Sequence, residues 1–253
     1  MIDLHSHILP GLDDGAQTIE QSRELARTAA AEGVTVIAAT PHVRADYPTP
    51  PAEMERGVQE LRRDFRDQSI EVEVLYGGEL DLHRLTLLDD DDLRRFTLAQ
   101  NGRYALVEFP YSGWPLSVEA AVWSLHSLGI EPVFAHPERN RTVQERPERL
   151  ARLLQVGGAV QVTAASLDGR IGRSARATAE RLLRMGIVHV IASDAHTPEV
   201  REAGLARAAE AVGDRGLARF LTEEAPAAIV AGDALPDPPA VGWRRFGVRP
   251  RSR

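Results

Sequence analysis

Nine residues of two chemical kinds stand out along the chain: His5, His7, Asp14, His42, Glu79, Glu108, His136, Asp194 and His196. His5 and His7 are separated by one residue, as are Asp194 and His196, so on an extended strand each pair presents both side chains to one face. Imidazole and carboxylate donors without thiolate suit borderline and hard divalent ions such as manganese, iron, zinc or cobalt. One ion takes roughly three to five protein ligands, so five imidazoles and four carboxylates with bridging allowed predict two or three ions. Cysteine is absent, and so is lysine, all 30 basic residues being arginine. Thiolate nucleophiles, disulfides, Schiff-base lysines and P-loop lysines are therefore excluded.

The elements that must position these residues alternate regularly. Short aliphatic runs at Ile2–Leu4, Val34–Ala38, Glu71–Leu75, Tyr104–Phe109, Pro132–Ala135, Ala159–Val162 and Ile187–Ala192 are separated by amphipathic stretches. The stretches are Ile19–Glu32, Glu53–Arg66, Val118–Leu128, Pro147–Leu154, Ala175–Met185 and Val200–Val212. Thr18 with Gln21 forms a capping box at the first helix, and Gly33, Gly129 and Gly186 stand where helices stop. Seven alternations in 253 residues predict a parallel α/β sheet. The runs are short and no glycine fingerprint follows the first, which favours a β/α barrel over a dinucleotide-binding sheet. In a barrel the carboxyl ends of the strands converge on one face. Six of the seven runs lead into an imidazole or carboxylate there; the sixth, ending at Thr163, does not.

Each position has an ordinary reading when taken alone. Asp13 and Asp14 before Gly15 resemble a turn, His42 a strand-end cap, and Glu108 a helix-start acid. Barrel packing gives no reason, however, to load six strand ends with ligand types together. His83, His126 and His189 lack that placement and are expected on the surface or in the core. The formal charge is −7, of which residues 236–253 hold +4, leaving −11 for the remainder and arguing against nucleic-acid binding.

The stretches MIDLHSHILPGLDDG, TPH at 40–42, GGE at 77–79, YALVEFP, FAHPERN and HVIASDAH together resemble the polymerase-and-histidinol-phosphatase (PHP) superfamily. Within it they resemble the bacterial capsule and exopolysaccharide protein-tyrosine phosphatases of the CpsB/CapC type, over roughly residues 1–212. The resemblance implies a distorted (β/α)7 TIM-like barrel with its active site at the C-terminal ends of the strands. It also implies phosphotyrosine hydrolysis by metal-bound hydroxide at a trinuclear centre, manganese first among the candidates. By position, the first ion falls to His5, His7, Glu79 and Asp194. Glu79 bridges to a second ion with Glu108 and His136, and Asp14, His42 and His196 take the third. Arg139 matches a family arginine that contacts phosphate, and Arg201 falls where a second is expected. Two departures stand out: Val43 where a histidine commonly follows His42, and Thr163 where a polar amide is expected.

Other readings of the same motifs are a phosphoesterase for a small phosphomonoester such as histidinol phosphate, a nuclease, and a metal-free scaffold. The −11 body disfavours the nuclease, and nine filled ligand positions disfavour the scaffold. The family context implies a phosphotyrosine protein as partner, an autophosphorylated bacterial tyrosine kinase in polysaccharide regulation. Residues 1–235 are expected to form the phosphatase domain and 236–253 a basic Pro/Arg-rich tail. Five arginines with Trp243 and Phe246 in 241–253 read either as a solvated end or as an arm for peripheral contact with anionic membrane or an acidic segment. The start of the chain has neither the basic nor the apolar region of a secretory signal, so a cytoplasmic location is expected.

Overall fold

A parallel strand covered on both faces reads as a nearly unbroken apolar run, and each of the seven runs forms strand in the computed structural model, which describes residues 1–197 and 204–239. The strands are β1 (Ile2–Ser6), β2 (Val36–Ala39), β3 (His42–Val43), β4 (Glu73–Leu75), β5 (Glu79–Asp81), β6 (Tyr104–Glu108), β7 (Glu131–Ala135), β8 (Ala159–Thr163) and β9 (Val190–Ala192). They are parallel throughout and lie in two sheets, ordered β1-β2-β4 and β3-β5-β6-β7-β8-β9.

The seven expected strands become nine because a further short strand, β3 or β5, follows each of the second and third runs. Pro41 cannot donate to a ladder, and it separates β2 from β3. Tyr76, Gly77 and Gly78 separate β4 from β5. A Cβ on Gly78 would lie 2.6 Å from Phe96 Cδ1, so this bend needs glycine. The arrangement is barrel-like without one continuous closed ladder. On one side β1 meets the end of β9 through backbone bonds from Asp194 N to His5 O (2.8 Å) and from His7 N to Ala195 O (2.7 Å). Beside β4, the turn Leu98–Gln100 fills the place of a strand, Ala99 N donating to Tyr76 O at 2.8 Å.

The helices follow the predicted stretches: Ile19–Ala31, Pro51–Asp67, Val118–Ser127, Glu148–Leu153, Arg173–Arg184 and Leu205–Val212, residues 200–203 of the last stretch lying outside the described ones. Thr18 caps the first by accepting from Gln21 N, while Gln21 Oε1 turns to Gln17 N rather than closing the box. Helix Pro51–Asp67 buries Met54, Val58, Leu61 and Phe65, one stripe at helical spacing. These faces pack on the outside of the sheets. A smaller cluster, including Leu4, Ala38, Leu106, Val133, Ala159 and Val190, fills the space the strands enclose. Above that plug the strands end in polar side chains.

Candidate metal centre

All nine singled-out residues lie in that polar layer, and the local backbone explains how. The ladder of β1 with β2 shifts register between Asp3 and Ser6; His5 lies within that irregularity and His7 just past it, their Nε2 atoms 3.2 Å apart. Glu79 opens β5 directly after the Gly77-Gly78 bend, and Glu108 closes β6. His136 and Asp194 lie just past β7 and β9 with φ of 38° and 53°. Left-handed backbone is costly for residues with a Cβ, and here it turns both side chains inward. Asp194 and His196 therefore meet through a turn, not along a strand as their spacing suggested; His196 Nδ1 bonds Asp194 O at 3.0 Å.

The electrostatics of the layer are those of donors facing donors. Asp13 Oδ2 accepts from His7 Nδ1 at 2.7 Å, and Gln161 Oε1 from His5 Nδ1 at 3.1 Å. Each ring thus spends its Nδ1 proton outward and turns Nε2 inward. Around those two atoms lie Glu79 oxygens at 3.4 and 3.5 Å and Asp194 Oδ1 at 3.5 Å from each. A proton on one nitrogen satisfies one contact and leaves the rest. A shared divalent cation would satisfy all of them, so the donor set fits a metal centre.

The ionisation tendencies agree. Burial pushes the Glu79 carboxyl up, but the imidazoles of His5, His136 and His42 override it and hold it well below the carboxylate range. Burial and then the negative charge of Glu79 push Glu108 up to about 7. Burial lowers His5, yet Glu79 and Asp194 carry it above its ordinary value; for His7, Asp13 does the same. His136, where burial prevails, falls to about 4. Carboxylates that draw protons onto buried imidazoles also draw cations.

Glu79 sits centrally. Its Oε1 lies 2.8 Å from His136 Nε2 and its Oε2 2.8 Å from His42 Nδ1, so its two oxygens face opposite halves of the layer. Four sets of donor atoms lie within 4.8 Å of one another: His7, Asp14, His42 and His196; His5, Glu79 and His136; His5, His7 and Asp194; His42, Glu79 and Glu108. In the last of these sets Glu108 lies with Glu79 and His42. A cavity of about 350 Å³ opens onto the layer, lined by Asp14, His42, Arg44, Tyr111, Arg139 and Asp194 among others. Arg139 Nη1 donates to Asp194 Oδ2 at 2.8 Å, and its guanidinium lies 4.6 Å over Tyr111. Arg201 and residues 240–253 lie outside the described residues. His83 is exposed, His126 pairs with Glu131 at 2.9 Å, and His189 stands just before β9, where its Nδ1 accepts from Val160 N.

The family model for capsular polysaccharide synthesis, CpsB/CapC, matches residues 1–225. The chain belongs to the CpsB/CapC family. It is similar to the tyrosine-protein phosphatase YwqE of Bacillus subtilis (strain 168), 37% identical over 203 residues, 79% of each chain. With the tyrosine-protein phosphatase CpsB of Streptococcus agalactiae serotype III (strain NEM316) it shares 29% identity over 214 residues, 82% of this chain and 88% of that one. A solved structure described as YwqE from Bacillus subtilis and CpsB from Streptococcus pneumoniae, unique metal-dependent tyrosine phosphatases, superposes with a TM-score of 0.84. The identity there is 33%, covering 95% of this chain and 100% of that one.

Four further residues complete this CpsB/CapC layer. Asp13 accepts from His7 and also, at 2.9 Å, from His42 N. Its neighbour Gly15 needs its bare α-carbon, since a Cβ would lie 2.1 Å from His7 O. Gln161, on β8 two residues before Thr163 and on the same strand face, offers its amide oxygen to His5 Nδ1 at 3.1 Å. Arg44 reaches Glu108 Oε1 at 3.4 Å and lies 5.2 Å over Tyr47. Nothing in the spacing around Arg44 marked it.

Proposed function

We propose that this chain is a metal-dependent protein-tyrosine phosphatase, a phosphoric monoester hydrolase that works without cysteine. The observation that carries the reading is the inward-facing set of His5, His7, Glu79 and Asp194 donors, in a family whose relatives are named tyrosine-protein phosphatases. His5, His7, Glu79 and Asp194 would hold one ion. Glu79 would bridge to a second with Glu108 and His136, and Asp14, His42 and His196 would hold a third. Manganese is the first candidate. Such ions supply Lewis acidity toward the phosphoryl group and lower the pKa of a water to near neutral.

The chain's own residues account for the rest. Asp13 and Gln161 fix the tautomers of His7 and His5. Arg139, tied to Asp194, offers guanidinium N–H groups to the equatorial phosphate oxygens, with Arg201 as a second contact. Tyr111 stacks on His136 with centroids 5.7 Å apart and presents an aromatic wall to the substrate ring. Tyrosine leaves as a phenol of pKa about 10 and needs less protonation than an alkoxide. Water adds to phosphorus, the P–O bond to tyrosine breaks, and phosphate and tyrosine are released.

The natural substrate in this reading is a phosphotyrosine protein of the polysaccharide machinery, an autophosphorylated tyrosine kinase, met in the cytoplasm. Residues 1–235 act as the phosphatase domain, and the tail from 236 makes at most peripheral membrane contact. The test is turnover of phosphotyrosine peptide, phosphoserine peptide, histidinol phosphate and single-stranded DNA with manganese. Preference for phosphotyrosine is expected, and turnover confined to histidinol phosphate would overturn the reading.

A further inference from the structure

Next to the metal-facing cavity lies a second one of about 410 Å³, and the two share Tyr111, Arg139 and Ile171 as walls. The metal-facing cavity is lined by carboxylates. The second carries none: its remaining lining is Gln144, Arg173 and Ser174 with Gly172 and Ala175. Arg173 is exposed and has no ion-pair partner among the described residues. The helix it opens, Arg173–Arg184, has no acidic residue in its first turn to offset the arginine. The groove on another side, lined by Asp81, His83, Trp114 and Leu116, is different in kind: it holds a carboxylate and is mostly apolar. The site is therefore electrostatically lopsided.

We propose that this second cavity is a substrate subsite that takes an anionic side chain close to the phosphotyrosine, with Arg173 as the specificity-determining residue. The inference rests on the phosphotyrosine reading above and adds a sequence preference to it. An extended peptide advances about 3.5 Å per residue, so a carboxylate one to three residues from the phosphotyrosine reaches a chamber that shares a wall with the first. Arg139 stands in that shared wall with one nitrogen committed to Asp194. The phosphate thus meets Arg139 while the flanking carboxylate meets Arg173, and two anions of one substrate are taken by two separate arginines. A segment with lysine or arginine in the same place would be repelled.

The experiment compares phosphotyrosine peptides that differ only in Asp or Asn at each flanking position, using metal-loaded wild-type chain and two variants, Arg173→Gln and Arg173→Glu. The readout is the ratio of kcat/KM for the Asp peptide over the Asn peptide. Wild type should favour Asp by about threefold to tenfold at one or two positions at low salt, and added salt should erode the preference. Arg173→Gln should bring the ratio to about one, and Arg173→Glu should invert it. A wild-type ratio of one at every position, or an unaltered ratio in both variants, would overturn the subsite. Free phosphotyrosine serves as the separate control: if the metal-loaded chain does not turn it over or any of the peptides, the phosphatase reading itself fails and the subsite with it.

Discussion

Asp13 carries more of the site than its place in a turn suggests. One carboxylate oxygen takes the Nδ1 proton of His7 and the backbone N–H of His42, and the other takes Gly15 N at 2.8 Å. An amide at that position has to turn an NH2 toward one of those donors. Asp13→Asn should therefore weaken metal binding by about tenfold to a hundredfold with every proposed ligand still present, as titration calorimetry would record; unchanged affinity would remove Asp13 from the support of the site. Glu79 makes a complementary case. Its oxygens face His136 and His42 on opposite sides, and a neutral amide bridges two cations poorly. Glu79→Gln should lose more than one ion per chain, whereas His42→Ala should chiefly weaken one. Equal single-ion losses by elemental analysis would contradict the bridge. The residue types that reach the layer were legible in the sequence because imidazole and carboxylate recur after successive strands. The supporting contacts were not: Gln161 and Asp13 act through bonds to residues 156 and six positions away, which no local pattern encodes.

At the scale of elements, the interruptions that set β3 apart from β2 and β5 apart from β4 do the positioning. Pro41 and the Gly77-Gly78 bend were visible as residues, but their effect depends on what packs above them. Gly78 is held against Phe96, itself fully buried. Gly78→Ala should cost about 1–3 kcal/mol through overpacking, and the shift of β5 should displace Glu79, so metal content should fall with the denaturation midpoint. A variant that loses stability but keeps its full complement of ions would show that the bend and the ligand are independent. The helices were the most legible part, because the stripe Met54, Val58, Leu61 and Phe65 and the stops at Gly33, Gly129 and Gly186 are local signals. Closure was the least legible, since it rests on β1 meeting residues 194 and 195 from the far end of the domain.

Two consequences belong to the whole molecule. Metal that binds the folded chain better than the unfolded one stabilises it by mass action. Ions held by donors on or just after six of the nine strands should therefore raise the melting temperature; for a chain of this size each kcal/mol corresponds to about 2–4 °C. Chelation should lower the melting temperature by several degrees and abolish turnover, and manganese should restore both; a melting curve indifferent to chelator would argue against ions tied into the fold.

The second consequence concerns the segment beyond Ala240. Its root is fixed at the opposite end of the strands from the metal layer. Asn101 Nδ2 donates to Ile229 O, Arg103 Nη1 to Gly232 O at 2.8 Å, and Tyr104 Oη to Asp233 O at 2.6 Å. Tyr104 begins β6 and Glu108 ends it, so the length of a strand, about 15 Å, separates the root of the tail from the proposed ligands. Deletion after Ala240 should accordingly leave kcat and KM for free phosphotyrosine unchanged. The same deletion discriminates the two readings of the five arginines. Near an anionic surface each contributes about 1 kcal/mol, opposed at longer range by a body of net charge −11. Full-length chain should therefore bind phosphatidylserine-rich vesicles at low salt and release them at physiological salt, where the Debye length is about 8 Å. Equal vesicle binding by the full and truncated chains would reduce the segment to a solvated end.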